Sequence, residues 1–310
     1  MLMGNISGLL KQKSLILIMT YMMEKRSILY ILLAFIIASC SVPKSAQVPV
    51  KGQNLFTAPI GVQAYTYRAS FAARPEAVLD SVKALGITQM EGPNPKGVDI
   101  YKFKQMLDKR GISMPSIGID YGSLVKEPLE AVRTAGILGS QFVMVAWLPH
   151  GKTFTLDDAK KAVADLNKAG RTLKANSLTL CYHIHGYEFV PYEDGTLFDY
   201  IVKNTDPRYV KFEMDVMWAF HGGADPAKLM LKYPTRWRLM HLKDIRKGVA
   251  NDLTGGTDIK NDVALGTGQI DIPEVLKAAK AVGIRHYFIE DESPDHAKQI
   301  PVTIKYLKSL

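Results

Sequence analysis

The stretch from Leu178 to Asp215 reads LTLCYHIHGYEFVPYEDGTLFDYIVKNTDPRYVKFEMD. A short apolar run, 178–183, is followed by Leu197, Ile201 and Val202 at helical spacing, and then by a second apolar run, 210–215. Strand, amphipathic helix and strand in that order make a βαβ unit, in which the helix carries the chain back so that the two strands lie parallel.

The same unit repeats outward in both directions. The strand candidates are 61–67, 87–91, 116–120, 142–147, 178–183, 210–215, 238–242 and 287–290. Amphipathic segments separate them, for example Val78-Leu79-Val82-Leu85, Phe103-Met106-Leu107, Ala159-Ala162-Leu166 and Ile272-Val275-Leu276-Ala279. Gly86, Gly111, Gly139, Gly170 and Gly283 stand where such helices should end in a left-handed residue. Eight βα units close into a barrel more readily than they form an open doubly wound sheet. A dinucleotide-binding sheet would also need a glycine-rich phosphate loop after its first strand, and this chain shows none there. The expected fold is α/β, a single (β/α)8 TIM barrel over residues 58–310.

Residues 1–39 read differently. Met22-Met23-Glu24-Lys25-Arg26 precedes the apolar run 28–38, which is too short to span a bilayer and stops at Ile37-Ala38-Ser39-Cys40. We read this as a bacterial lipoprotein signal cleaved before Cys40, with Met22 or Met23 as the start and an upstream extension before it. A signal anchor or an ordinary cleaved signal is the alternative. Residues 40–57 form a lipidated tether, so the protein is expected to be exported and held by a lipid anchor on a membrane of the cell envelope. With Cys40 lipidated, Cys181 is the one remaining thiol, and stability must come from the core rather than from a disulfide. The net charge of +9 includes four cations and one acid from residues 1–39. No basic block interleaved with aromatics points to nucleic acid.

In a barrel the loops after the strands build the site, so the residues at strand C-termini carry the chemistry. Strand five ends in His183-Ile184-His185, and residues two apart on a strand face the same way, so both imidazoles should point inward. Glu213 and Asp215 share a face on strand six; His241 and Lys243 do so on strand seven; strand eight stops at Glu290-Asp291-Glu292. Each alone reads equally well as a helix cap, a loop acid or a satisfied core histidine. Together they place nitrogen and oxygen donors at one height on four successive strands. Such a mixture suits Zn²⁺, Mn²⁺, Co²⁺ or Fe²⁺ better than Ca²⁺, with Mg²⁺ also admitted.

Five segments, Tyr182-His183-Ile184-His185-Gly186-Tyr187-Glu188-Phe189, Phe212-Glu213-Met214-Asp215-Val216-Met217-Trp218, His241-Leu242-Lys243-Asp244, Leu265-Gly266-Thr267-Gly268-Gln269-Ile270-Asp271 and Phe288-Ile289-Glu290, carry a family resemblance. From about residue 58 onward the chain resembles the xylose isomerase-like TIM barrels. It is most similar to a secreted branch labelled sugar phosphate isomerase/epimerase, some members of which act on 3-keto-glycosides. The resemblance implies metal ligands at His183, Asp215, His241 and Glu290. It also implies a glutamate on strand five, paired with the strand-eight glutamate as bases on opposite faces of the substrate, and here that position holds His183. Glu290 is then ligand and candidate base together, with His185, Lys243 and Glu188 as nearby acids or bases.

The expected function is therefore divalent-metal-dependent proton abstraction next to a sugar carbonyl through an enediolate, giving a sugar isomerase or epimerase. Elimination from a 3-keto-glycoside is the close alternative, and a sugar-binding lipoprotein without catalysis is a third reading. Trp147, Trp218, Tyr65 and Tyr121 are candidates to stack on sugar faces, and Glu91 and Gln63 to reach substrate hydroxyls. Homodimer formation is a further expectation. Gly222-Gly223 reads as a positive-φ turn, and Gly266 and Gly268 as a turn or part of a lid.

Overall fold

The computed structural model describes residues 54–310, so the signal segment, Cys40 and most of the tether lie outside the described residues. Eight parallel strands close into a barrel: β1 (Ile60–Gln63), β2 (Gln89–Gly92), β3 (Ser113–Gly118), β4 (Phe142–Val145), β5 (Thr179–His183), β6 (Val210–Asp215), β7 (Trp237–Leu242) and β8 (His286–Ile289). Each pairs in parallel with its sequence neighbours, and β8 closes the ring on β1. The expected (β/α)8 barrel is what the chain forms.

Helices α1 (Pro75–Ala84), α2 (Ile100–Arg110), α3 (Tyr121–Lys126), α4 (Pro128–Leu138), α5 (Leu156–Ala175), α6 (Leu197–Asn204), α7 (Val216–His221), α8 (Pro226–Lys232), α9 (Ile272–Val282) and α10 (His296–Ser309) surround it. Capping sets several boundaries. Thr155 and Asp158 form a reciprocal capping box at the start of α5, as Thr196 and Asp199 do at α6. Gly111, Gly139 and Gly283 end α2, α4 and α9 in the left-handed conformation. Gly170 does not end a helix. It sits inside α5, where an added Cβ would lie 3.1 Å from Tyr209, so its role is close approach of the helix to the segment leading into β6.

Strand alternation divides the barrel interior into two layers. Cys181, Leu239 and Phe288 form a fully buried apolar cluster. Two residues further along the same strands, and therefore on the same face, stand His183, His241 and Glu290. The opposite strand faces, with Tyr182, Met214, Met240 and Ile289, are buried against the helices. An apolar floor thus lies directly below a layer of ionisable groups.

Two glycines hold the loops after β5 and β6 together. Gly186 has φ +85°, and a Cβ there would come 2.5 Å from the Trp218 carbonyl oxygen; a Cβ on Gly222 would come 2.6 Å from the Gly186 Cα. Gly222 itself has φ −73°, so close approach, and not the expected positive φ, is what requires glycine; Gly223 alone takes the positive value, +89°. Gly186→Ala combines left-handed strain with overpacking against backbone and is expected to cost about 2–4 kcal/mol. Gly139→Ala, with the same sign of φ and open space around it, should cost about 1 kcal/mol. Denaturant unfolding of the two variants beside the parent checks the difference; equal costs would contradict the packing argument.

Candidate metal centre

The register of the barrel brings the ionisable residues into contact. His183 is the parallel partner of Glu213, Asp215 of His241, and Gln63 of Glu91. The Glu213 carboxylate lies 3.2 Å from His183 Nδ1, which leaves His183 Nε2 directed toward Asp215 Oδ2 at 3.8 Å. Glu91 Oε2 lies 2.6 Å from His241 Nε2 and accepts a hydrogen bond from Gln63 Nε2 at 3.0 Å. The other ring nitrogen, His241 Nδ1, faces Asp215 Oδ2 at 3.7 Å and Glu290 Oε2 at 3.3 Å. Each imidazole therefore has a carboxylate behind it and a free nitrogen in front, the arrangement by which metal-ligating histidines are oriented.

Asp215 serves two purposes with its two oxygens. Oδ1 accepts the Trp218 N–H at 2.8 Å and caps α7, while Oδ2 is buried with no hydrogen-bond partner. His241 Nδ1 is likewise buried and unpartnered. An unsatisfied carboxylate oxygen and imidazole nitrogen side by side cost several kcal/mol unless a ligand completes them. The donor atoms of Asp215, His241 and Glu290 lie within 4.8 Å of one another. With His183 at their edge they make a nitrogen and oxygen set that fits a divalent cation. His183, Glu213 and His241 also cluster within that limit, but Glu213 lies on the Nε2 side of His241, behind the imidazoles.

Electrostatics keep these groups in different states. Burial, together with the neighbouring His241, pushes His183 well below the usual histidine range, which leaves it neutral and able to ligate. Burial also lowers His185, to about 4. Burial opposes the charge on His241, but Glu213 and Glu290 outweigh it and raise the imidazole. Glu290 is buried too, yet Lys243 and His241 hold it well below the carboxylate range. Glu213 is driven up by burial and by the adjacent Glu91. Lys243 Nζ lies 2.5 Å from Glu292 Oε1, 3.4 Å from Glu290 Oε2 and 3.6 Å from Asp262 Oδ2, and 5.1 Å from the Trp218 ring centre.

His183, His241 and Glu290 open onto a pocket of about 760 Å³, with Asp215 set behind its lining. It is lined by His183, His185, His241, Glu290, Glu292, Asp262 and Trp218 on one side, with Tyr65 and Trp147 toward the first four strands. His185 lies beyond the end of β5, stacked on Trp218 at 5.6 Å with its Nδ1 unpartnered.

Several sequence expectations fall elsewhere. Glu91 is fully buried behind His241 and does not line the pocket, so it positions an imidazole instead of reaching a hydroxyl. Glu188 is also away from the pocket; it accepts the Tyr182 hydroxyl at 2.8 Å and the His185 N–H at 3.0 Å, and so shapes the loop after β5. Tyr121 donates to Asp165 on α5 at 2.6 Å. Gly266 and Gly268 give their N–H groups to the buried Asp244 carboxylate, each at 3.0 Å, and Gly268 has no room for a Cβ beside it. Glu213 and Asp262 were not singled out as site residues by sequence. The period-two signal pointed at Glu213, whereas Asp262 comes from a short ribbon, Asp244–Ile245 with Asp262–Val263, that carries no strong pattern.

The family described as xylose isomerase-like TIM barrel matches residues 79–310. An inosose dehydratase of Geobacillus kaustophilus (strain HTA426) is 26% identical over 196 residues, which span 56% of this chain and 63% of that relative. Among solved structures, a sugar phosphate isomerase/epimerase from Parabacteroides distasonis ATCC 8503 has a TM-score of 0.68 at 24% identity, covering 82% of this chain and 99% of that one. The IOLI protein, solved with a bound zinc atom, has a TM-score of 0.64 at 14% identity, covering 81% and 95%. These structural likenesses show the fold.

Two outcomes follow from the geometry. Asp215→Ala and His241→Ala should each abolish stoichiometric binding of Mn²⁺ or Zn²⁺ measured by elemental analysis after dialysis, and retention of one ion per chain by both would contradict the donor set. Glu188 gives a pH test. Burial raises its carboxyl from 4.5 to about 7, so the folded state holds the proton more tightly than the unfolded chain. Its contribution is therefore present below pH 4.5 and is lost as pH rises through about 7. Denaturant unfolding of Glu188→Gln and the parent at pH 4.5 and pH 8 should show the difference moving by about 3 kcal/mol in favour of Gln at the higher pH. An unchanged difference would mean that the carboxyl ionises normally.

Proposed function

Since the chain belongs to the xylose isomerase-like TIM-barrel family, we propose that it is a divalent-metal-dependent lyase that takes the proton from the carbon beside a ketone on a sugar-like ring and expels an oxygen substituent from the next carbon. One observation carries the choice of elimination: the acids lining the histidine side of the pocket, Glu290, Glu292 and Asp262, all come from the segments after β7 and β8. On β5, where a second base for the opposite substrate face would stand, the chain has a neutral, buried His183. The inosose dehydratase relative agrees in reaction class.

His183, Asp215, His241 and Glu290 would hold the cation, which when bound polarises the ketone and acidifies the adjacent C–H. Glu290 takes the proton, and Lys243 beside it keeps that carboxylate ionised beforehand. The C–O bond to the leaving group then breaks as the new C=C bond forms. Glu290 returns its proton to the departing oxygen on the same face, so the product is an α,β-unsaturated ketone plus water or an alcohol. Trp218, stacked on His185, bounds the ring's position.

The substrate is unphosphorylated in this proposal. No lysine or arginine lines the pocket among the described residues, whereas the acids Asp120, Glu130, Asp262, Glu290 and Glu292 do, and these would repel a phosphate that no fixed cation there would hold. Export through a signal cleaved before Cys40 belongs to the same proposal and suits a free sugar or glycoside. Isomerisation or epimerisation is the second reading, as it shares the first step. The group favouring it is His185, which lines the pocket and is placed to exchange a proton there.

Incubation in D₂O with Mn²⁺ and either methyl 3-keto-β-glucoside or a ketose separates these outcomes. The expected result is an unsaturated ketone from the 3-keto-glucoside, slowed about 10²-fold or more by Glu290→Gln. Deuterium entering recovered or isomerised sugar without elimination would favour the second reading. With neither deuterium incorporation nor product, proton abstraction is excluded.

A further inference from the structure

The pocket is larger than the ionisable site needs, and its two halves differ in chemistry. At about 760 Å³ it lies in the upper part of the range for pockets that take drug-sized ligands, several times what one hexose ring fills. The three histidines and the carboxylates of Asp262, Glu290 and Glu292 occupy the side formed by β5, β7 and β8 and the loops that follow them. Ile117, Ile119, Ala131 and Met144, from β3, α4, β4 and the loop after β3, form the apolar part of the remaining wall with Trp147, and Asn94, Asp120, Ser123, Glu130 and Thr134 border it.

The aromatic edge of this wall is presented and held. Trp147 is 44% exposed although it lines the pocket. One face stacks on His150 at 4.9 Å, and its ring packs edgewise on Tyr187 at 4.8 Å and His185 at 5.4 Å. An exposed, immobilised indole beside a metal centre is a ready contact surface that loses little entropy on binding.

Polar residues around this half are mostly committed to their own local structure. Asp120 Oδ1 accepts the Ser123 N–H and caps α3, Asn94 Nδ2 donates to the Val98 carbonyl, and Glu130 pairs with Arg133. A second sugar ring would have to leave many hydroxyls facing Ile117, Ile119, Ala131 and Met144, at the cost of unmatched hydrogen bonds. An aromatic group would lose none.

From this division we infer that the pocket contains a second, apolar subsite, lined by Trp147, Ile119, Ile117 and Met144, which takes the aromatic aglycone of a glycoside whose sugar lies against the metal centre. This rests on reading the ionisable half as a sugar site. It adds that the substrates are aryl glycosides and that the β3, β4 and α4 side of the barrel selects them.

The test is equilibrium binding by calorimetry to the metal-loaded protein, with three unreactive probes: 4-nitrophenyl β-D-glucopyranoside, methyl β-D-glucopyranoside and cellobiose. The aryl glucoside should bind at least tenfold more tightly than the methyl glucoside, and more tightly than cellobiose. Ile119→Asp and Trp147→Ala should each reduce the ratio of aryl to methyl affinity at least fivefold. Equal affinity for the aryl and methyl probes, tighter binding of cellobiose, binding of none, or an unchanged ratio in both variants would overturn the subsite. Ile119 is partly buried and Trp147 is largely exposed, so at least one variant is expected to fold. Failure of the chemical reading shows differently: the aryl preference would persist while the 3-keto-glucoside gave neither deuterium exchange nor elimination.

Discussion

The 2.6 Å contact between Glu91 and His241 Nε2 is the interaction on which the arrangement of the site depends. It fixes the proton on one side of the imidazole and turns Nδ1 toward Asp215 and Glu290. Glu213 does the same for His183 from the neighbouring strand. Neither carboxylate reaches the pocket, so neither would be recognised by what it touches in a substrate. The cost of burying four acids and two histidines in one layer is large in isolation. It becomes tolerable because not every group is charged, since burial holds His183 neutral and favours the neutral form of Glu213, because Glu290 has Lys243 and His241 beside it, and because an apolar floor of Cys181, Leu239 and Phe288 lies below the layer.

The functional reading turns on asymmetry within that layer. Lys243 is enclosed by Glu290, Glu292 and Asp262, which concentrates both the negative groups and their counter-charge on the β7 and β8 side. The β5 side offers imidazole and aromatic rings. A site charged on one edge favours chemistry in which a single group carries a proton both out and back. A site with matched carboxylates across the ring would favour inversion of a carbon.

Much of this was legible in the sequence because strand periodicity is strict. Once 210–215 is read as a strand, Glu213 and Asp215 must share a face, and β6 runs over those very residues. The strands drawn too long at 61–67 and 142–147 stop early for a local reason: after Gln63 the chain turns, with the Gln63 side chain accepting the Tyr65 N–H. Apolar residues such as Tyr65 and Trp147 then continue the pattern without continuing the strand. What sequence could not supply was depth. Glu91 and Glu188 stand near the C-terminal ends of strands in sequence, as Glu290 does, and only packing reveals that the first two lie away from the pocket and the third faces it. Gly170 was misread for a similar reason, since a glycine needed for helix approach and one needed for a helix end look alike in one dimension.

The back-to-back glycines 186 and 222 link the loop that presents His185 to the end of α7, the short helix that carries Trp218 in the connection after β6. With no side chain on either, the two backbones behave as one piece, and any change of length or shape in one loop displaces the other. For engineering, the unit of exchange between related barrels is therefore the pair: grafting the β5 loop alone would bring in a shape that its neighbour cannot accept, whereas transplanting both preserves the joint. The same coupling ties inheritance at these positions together, so that divergence in one loop should be accompanied by compensating change in its companion.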